Sequence, residues 1–600
     1  MADSADNPLQ TFLEIETSLS GQRWVHRLDQ AGVNRALAIA QTGGLPDLVA
    51  RVLAGRGVAP EQTATFLAPT LKTLMPDPST LRDMDAAAAR IVEAIAEGQR
   101  VAVFGDYDVD GAASCALMAR FFDHFGVESE IYIPDRIFEG YGPNAAAIDQ
   151  LIERGARLIV TVDCGSTSQA ALHHASNRGA DVVVLDHHQL GTDLPPDVAV
   201  VNPNRQDDLS GQEHLCAAGV VFLALVAALR LLRGRGDDRA RSIDLIGMLD
   251  LVALATVCDV VPLKGLNRAY VMRGLGVARE MANPGLAALM RVAGVDGPLT
   301  PYHLGYMIGP RINAGGRIGD AALGARLLTL CDEAEARAIA ETLNRLNRER
   351  QAMEQEMLAA AEAEAMAEFG DGSGPAVVVT AGEGWHAGIV GIIAARLKEK
   401  LKRPAFAIAF GPGGTGTGSG RSIGGFDMGR MVRGAVEKGL AIKGGGHAMA
   451  AGLTIERGRL GALRAYFEDY AGDAVRSLTA SPVLRVDGAL AARGATLELM
   501  GQLEQAGPYG AGHTQPVFVL PEHRLLDARV VGRDHVRMRL ADATGGKIAA
   551  IAFRTASTDM GAAFLAGRGE RFHIAGSLTV DHWQGASRIQ MRVIDAAKAG

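Results

Sequence analysis

Three apolar runs in this chain end in the same way. Val101-Ala102-Val103-Phe104 leads into Gly105-Asp106-Tyr107-Asp108-Val109-Asp110-Gly111, Leu158 to Val162 leads into Asp163-Cys164-Gly165, and Val182 to Leu185 leads into Asp186-His187-His188. Continuous apolar runs closed by glycine and acidic loops suit parallel strands buried on both faces. In such sheets ligands bind outside the carboxyl ends of the strands, so the acidic clusters are expected to meet at one edge. Asp259 ends a further apolar segment, Leu249 to Val257, and joins them. Carboxylates and an imidazole pair held so close repel unless neutralised, which implies a cation.

At 600 residues the chain is too long for one core, and several domains are expected. The net charge of −8 gives no global nucleic-acid signal, so any polyanion site must be a local basic groove. The cysteines (Cys115, Cys164, Cys216, Cys258 and Cys331) show no paired spacing. That argues against a disulfide framework or structural zinc and fits a reducing cytoplasm. Met1 to Gln10 is polar and acidic, unlike a signal peptide. Leu215 to Leu229 falls short of the roughly 20 residues of a membrane span and reads as a buried helix, so no membrane is expected.

The fold class is α/β and multidomain. Residues 1–45 read as an N-terminal extension with little patterning, and 46–98 as a helical lead-in broken by Pro60, Pro69, Pro76 and Pro78. Residues 99–330 alternate strands and helices as a doubly wound parallel sheet, then turn mostly helical, with a basic, glycine-rich turn at Gly309–Arg317. Residues 331–370 form a long connecting helix, about 55 Å at 1.5 Å per residue. Residues 371–480 make a second α/β unit, with strands at Ala376–Thr380 and Pro404–Phe410. Residues 481–600 carry short strands, including Val517–Leu520 and Ala528–Val531, and read as an OB-like β-barrel.

Asp106-x-Asp108-x-Asp110-Gly111 is not a calcium loop of the EF-hand type: its twelfth position is Leu117 and no helix precedes it. His187 and His188 are adjacent and cannot point the same way in extended backbone, so one can bind metal while the other faces a substrate phosphate. Oxygen ligands with one imidazole suit Mn²⁺ or Mg²⁺, and two such ions support phosphodiester hydrolysis. Gly411-Pro412-Gly413-Gly414-Thr415-Gly416 matches a dinucleotide fingerprint, but no helix opens after it and Pro412 lacks an N–H. Gly420-Arg421-Ser422 and Gly444-Gly445-Gly446-His447 could grip successive phosphates, or be turn glycines with incidental polar neighbours. Trp385-His386 could stack a base or simply pack, while Cys164 and Cys258 read as buried fillers.

Taken together, these motifs resemble the DHH phosphoesterase superfamily and, within it, the bacterial single-strand-specific exonucleases. The matching pieces include Gly105–Gly111, Val162–Gly165, Asp186–His188, Ala255–Pro262, Pro310–Arg317, Gly384–Gly391, Gly420–Ile423 and Gly444–Gly452. The resemblance implies a DHH catalytic domain at 99–330, a DHH-associated nucleic-acid-binding domain at 371–480, and a barrel that holds incoming strand. It implies a processive 5′→3′ exonuclease that hydrolyses single-stranded DNA to nucleoside 5′-monophosphates in repair and recombination, with Mn²⁺ or Mg²⁺, two ions in the active state. The family's metal ligands map onto Asp108, Asp110, Asp163, His187 and Asp259. Asp106, Asp186 and His188 fall beside them in the catalytic machinery. Arg311, Asn313, Arg317, Arg421, Ser422 and His447 map onto DNA contacts. A RecQ-type helicase and a single-strand-binding protein are the implied partners of a monomer. At Tyr509–Pro516 the chain departs from the family pattern, with His513-Thr514 where Asn-Pro is usual.

Two other readings compete. A small-substrate phosphodiesterase of the same superfamily would usually lack the barrel and long helix. A catalytically silent DNA-binding scaffold would not need the intact acidic set.

Overall fold

The computed structural model describes residues 10–599 apart from 136–138, 192–193, 196–197, 370–373, 480–481 and 584–585. The chain divides into two compact units. One is Leu74–Thr479; the other joins the chain up to Thr73 to the chain from Ala480 onward. The first strand, β1 (Arg23–His26), belongs to the latter.

The larger unit opens with β2 (Val101–Gly105), β3 (Ser129–Tyr132), β4 (Leu158–Val162), β5 (Asp181–Leu185) and β6 (Ala199–Val201). They form one sheet in the order β3-β2-β4-β5-β6, parallel throughout. Every residue of β2 and β4 is buried, which is why these runs are apolar without alternation. Helices Ala145–Glu153 and Gln169–Asn177 pack Ile148, Leu151 and Leu172 with Phe104, Ile159 and Val184. Helices Met84–Ala96, Val109–His124 and Ala217–Gly234 complete the cover. Ala217–Gly234 passes a membrane span's length and composition test, yet most of it is buried in this core. Strand order reverses between β2 and β4, the switch point at which such sheets bind ligands.

The glycine-rich segment at Gly309–Arg317 is not a turn: it lies in helix Gly309–Ile318, entered through a π-helical turn at His303–Ile308. Its glycines serve close packing. A Cβ on Gly309 would lie 2.5 Å from Cys258 Sγ, and one on Gly316 would lie 2.4 Å from the Tyr107 carbonyl oxygen. Helix Glu333–Phe369, 37 residues long, then buries Ala340, Leu343 and Leu346 early and Met357, Ala361 and Ala365 late. The late set enters the core of the next sheet, with Val378 and Ile393.

That sheet contains β7 (Val378–Glu383), β8 (Ala405–Phe410), β9 (Thr415–Arg421), β10 (Lys443–Gly446) and β11 (Ala450–Glu456), in the order β10-β11-β9-β8-β7. Only β7 and β8 run parallel.

The second unit holds β12 (Val483–Val486), β13 (Gly488–Ala489), β14 (Phe518–Val531), β15 (His535–Ala541), β16 (Lys547–Ala552), β17 (Arg571–Trp583) and β18 (Ala586–Lys598). The five strands β14-β15-β16-β18-β17 close on themselves through a β14–β17 pairing, an OB-type barrel. The segments read from sequence as separate strands at Val517–Leu520 and Ala528–Val531 are one bent strand. Irregular register near Leu520–His523 and Leu525–Asp527 turns it from β17 to β15.

The N-terminal segment differs from its reading as an unpatterned extension. β1 pairs in parallel with β12, Trp24 is fully buried, and its indole donates to Asp595 Oδ2 at 2.8 Å. Helices Gln30–Gly43 and Asp47–Ala54 place Ile39, Val49, Val52 and Leu53 in the barrel's core. The expected 46–98 lead-in is therefore split: its first part packs on the barrel, whereas Met84–Ala96 packs on the parallel sheet. A short strand and two helices separated by Pro46 carry too little periodicity to be read in isolation.

Candidate metal centre

The loops after β2, β4 and β5 bring the acidic residues together. Asp108 caps helix Val109–His124, its Oδ1 accepting from the Asp110 and Gly111 amides at 2.9 and 3.2 Å. Gly111 is required there, since a Cβ would sit 2.3 Å from the Asp106 carbonyl oxygen. Asp110, 1% exposed, accepts from the Ala217 and Ala218 amides at 2.7 and 2.8 Å, at the start of helix Ala217–Gly234. Asp163 follows β4 with a left-handed φ of 59°, a strained conformation outside glycine and Asx turns.

His187 Nε2 stands at the middle of the cluster. It lies 3.3 Å from Asp163 Oδ1, 3.6 Å from Asp110 Oδ2 and 3.6 Å from Asp259 Oδ2. Asp259 arrives as the C-cap of helix Leu249–Cys258. Asp186 holds the His pair. Its Oδ1 accepts from the His187 amide at 2.7 Å, the His188 amide at 3.1 Å and His188 Nδ1 at 2.8 Å, and its Oδ2 accepts from the Ser166 amide at 3.1 Å. With both oxygens engaged, Asp186 orients the imidazoles instead of offering a ligand atom, so it is a positioning residue.

Electrostatics set this cluster apart. Burial, then Asp110, Asp108, Asp106 and Asp259, push the Asp163 carboxyl well up. Burial and the neighbouring aspartates raise Asp259 likewise. Burial raises Asp110, partly offset by His187. Asp186 goes the other way: burial would raise it, but its hydrogen bond to and attraction by His188 hold it low. Among the described residues no Arg or Lys pairs with Asp110, Asp163, Asp186 or Asp259.

Buried polar atoms are normally hydrogen-bonded. Asp163 Oδ1, His187 Nε2 and Asp259 Oδ2 are buried and have no such partner among the described residues. A hard divalent ion with ligands at about 2.1 Å separates neighbouring ligand atoms by about 3 Å, close to the spacings around His187 Nε2. The residues present thus fit a cation held by Asp110, Asp163, His187 and Asp259. A second group, Asp106, Asp108 and Asp163, brings ligand atoms within 4.8 Å of one another, with Asp163 shared.

Three family models match the chain: the DHH family, N-terminal domain, over residues 100–256; the DHHA1 domain over 374–473; and the RecJ OB domain over 486–595. The single-stranded-DNA-specific exonuclease RecJ of Salmonella typhimurium is 38% identical over 522 residues, spanning 84% of this chain and 88% of the relative. The chain belongs to the RecJ family. The Bacillus subtilis RecJ is 31% identical over 96% of this chain and 71% of its own length. The crystal structure of Thermus thermophilus RecJ in complex with Mn²⁺ has a TM-score of 0.78 at 29% identity, covering 95% of this chain and 78% of that one.

The residues that the RecJ resemblance puts on DNA fall on helix Gly309–Ile318 and in the DHHA1 domain. Helix Gly309–Ile318 abuts Tyr107 through Gly316. It carries Arg311, whose Nε donates to Asn344 Oδ1 at 3.1 Å, and Asn313, whose buried Oδ1 has no hydrogen-bond partner among the described residues. Arg317 donates to the Gly388 carbonyl oxygen at 2.9 Å, which ties the helix to the turn after β7 in the DHHA1 domain. Three residues on, a Cβ at Gly391 would lie 2.9 Å from the Arg421 guanidinium. Arg421 pairs across the sheet with Ala450, whose carbonyl accepts from the exposed His447 amide at 2.8 Å. Ser422 departs from its reading as a phosphate contact. It is 1% exposed and its hydroxyl donates to the Phe426 carbonyl at 2.8 Å, so it braces the loop.

Several residues that shape the site escaped the sequence reading. The Tyr141 hydroxyl donates to the Asp163 carbonyl at 3.0 Å and lies 3.1 Å from His188 Nδ1. Asn202 donates to the His188 carbonyl at 2.9 Å and to Ser166 Oγ at 2.9 Å, and Asn204 donates to the His187 carbonyl. The signal was available for the asparagines. Asn202-Pro203-Asn204 closes β6 as the acidic motifs close β2, β4 and β5. Tyr141, between two positive-φ glycines, carries no comparable mark.

Proposed function

We propose that this chain is a metal-dependent exonuclease that hydrolyses single-stranded DNA from the 5′ end to nucleoside 5′-monophosphates. The observation that carries the reading is the set of buried, unpartnered ligand atoms, Asp163 Oδ1, His187 Nε2 and Asp259 Oδ2, gathered at the switch point of a parallel sheet. Mn²⁺ or Mg²⁺, two ions in the active state, supplies an activated water and charge stabilisation at the phosphate when bound. Asp108, Asp110, Asp163, His187 and Asp259 hold the ions, with Asp106 beside them. Asp186 accepts from His188 Nδ1 and, as a carboxylate, favours the imidazolium, whose Nε2 proton is then available to the substrate phosphate. Arg311, Asn313, Arg317, Arg421 and His447 bind the strand's backbone, and the barrel binds single strand. Ser422 braces the loop that follows Arg421. A closed barrel and a long connecting helix favour polymeric substrate over a dinucleotide. The acidic set is complete, which disfavours a silent scaffold.

The protein works as a monomer in the cytoplasm, where its cysteines are all free. Its partners are a RecQ-type helicase and a single-strand-binding protein, in repair and recombination.

The test uses a single-stranded oligonucleotide labelled at either end, with Mn²⁺ and then with EDTA. Immediate release of a labelled mononucleotide from the 5′ end, abolished by EDTA and by Asp163→Ala, is expected. Release from the 3′ end first would overturn the polarity, and intact strands would overturn the hydrolase.

A further inference from the structure

Tyr302 and Tyr306 are 57% and 75% exposed, and their rings stack on each other at 5.2 Å with an interplanar angle of 24°. Single exposed apolar side chains are ordinary, but two large rings stacked in water leave a broad apolar face uncovered. Tyr306 sits on the π-helical turn His303–Ile308 and Tyr302 immediately precedes it, a geometry frequent at functional sites. The turn is firmly placed. Leu304 and Ile308 point into the core at 1% and 0% exposure, and Cys258 Sγ donates to the Leu304 carbonyl at 3.4 Å. A Cβ on Gly305 would meet Val257 at 3.3 Å. The turn therefore rests on the end of the helix whose next residue is Asp259. Its own continuation is the helix that carries Arg311 and Asn313.

We propose that Tyr302 and Tyr306 form a stacking step for a nucleobase of the single strand, beside the carboxylate cluster. The inference rests on the reading of the chain as acting on single-stranded DNA, and adds to it a contact that is blind to sequence. Every base has a π-face, so a ring pair grips any strand equally. Backbone contacts alone hold a phosphate but leave the base free to swing. A stacked base fixes the register of the strand against the acidic loop. Duplex DNA, whose bases are already stacked on each other, gains nothing there.

The test measures binding apart from hydrolysis. The full-length protein, in EDTA, is titrated into a 3′-fluorescent oligonucleotide, intact or carrying one abasic site at each of the first several positions, and anisotropy gives Kd. The wild-type protein is expected to lose affinity by roughly tenfold when the abasic site falls at the stacked position. The Tyr302→Ala/Tyr306→Ala protein is expected to lose about as much on the intact strand and no more on that abasic strand. The Phe pair at both positions retains wild-type affinity. Both rings are exposed, so melting temperature stays unchanged; should the double variant not fold, Tyr306→Ala with the wild-type abasic scan decides. An alanine variant that binds like wild type, or losses that simply add, would overturn the stacking step. Wild-type hydrolysis with Mn²⁺ is followed in parallel. Stacking without mononucleotide release would sink the hydrolase reading and leave this one standing, while failure to bind any strand would sink both.

Discussion

Two buried carboxylate sites in this molecule are built on opposite plans. Asp487, at the junction of β12 and β13, has a side chain with no exposure and is fully matched. Arg27 Nε lies 2.9 Å from its Oδ1, Arg56 pairs with the same oxygen, and the Val517 amide donates to Oδ2 at 2.9 Å. The cluster around Asp163 is largely buried and has several carboxylates, yet its close partners are imidazoles, and three of its ligand atoms have no hydrogen bond among the described residues. An unpaired buried charge is too costly to persist without a use. The first arrangement ties an N-terminal segment to a barrel. The second stores repulsion that a cation relieves.

Breaking each site in turn should separate these roles. The largest effect is expected from Asp163→Ala, which should cut hydrolysis of single strands by about a thousandfold or more while the metal-free protein melts no lower than wild type. A clear drop in melting temperature would mean that Asp163 is structural. Arg56→Ala should do the reverse. Leaving Asp487 with Arg27 alone should cost about 2–4 kcal/mol in urea unfolding while activity per folded molecule stays at wild type.

Asp250 lies between the two plans. It is 3% exposed, accepts from the Leu251 amide at 2.8 Å, and burial, only partly offset by Arg120, raises its pKa to about 6. A folded pKa above the unfolded value of about 3.8 means that stability is present at low pH and lost as pH rises from about 4 through 6. Asp250→Asn should therefore stabilise the protein by about 2–3 kcal/mol at pH 8 and by little near pH 4, read from urea midpoints at the two pH values. A gain that does not depend on pH would contradict the assignment. The smallest effect belongs to Asp186→Asn, which keeps the shape but weakens the hold on the loop that seats the ligand His187, through its amide, beside His188. Mn²⁺ affinity should fall about 10- to 100-fold, measured by titration calorimetry.

Much of the site was legible because strand ends advertise it. The apolar runs before Asp106, Asp163 and Asp186 fixed the sheet, and parallel topology then required their loops to share an edge. What escaped depends on tertiary placement. Asp186 and Asp163 look alike in sequence, and only the hydrogen bonds to the His187 and His188 amides show that one orients and the other is left open. Ser422, next to Arg421, looks like a phosphate contact until its hydroxyl is seen turned inward. The glycines at Gly309 and Gly316 signalled a turn because close helix packing and tight turns ask for the same residue. The N-terminal helices could not be assigned to the barrel from sequence, since their partners lie more than 400 positions away, as Arg56 and Asp487 do.

The most direct test of the unneutralised cluster is an electron paramagnetic resonance titration of free Mn²⁺ with metal-free protein at neutral pH. One to two ions are expected to leave the free pool per wild-type chain, with that binding lost in His187→Ala and kept in Arg56→Ala. Free Mn²⁺ that is undiminished by wild-type protein, or diminished equally by His187→Ala, would contradict a cluster built to hold a cation.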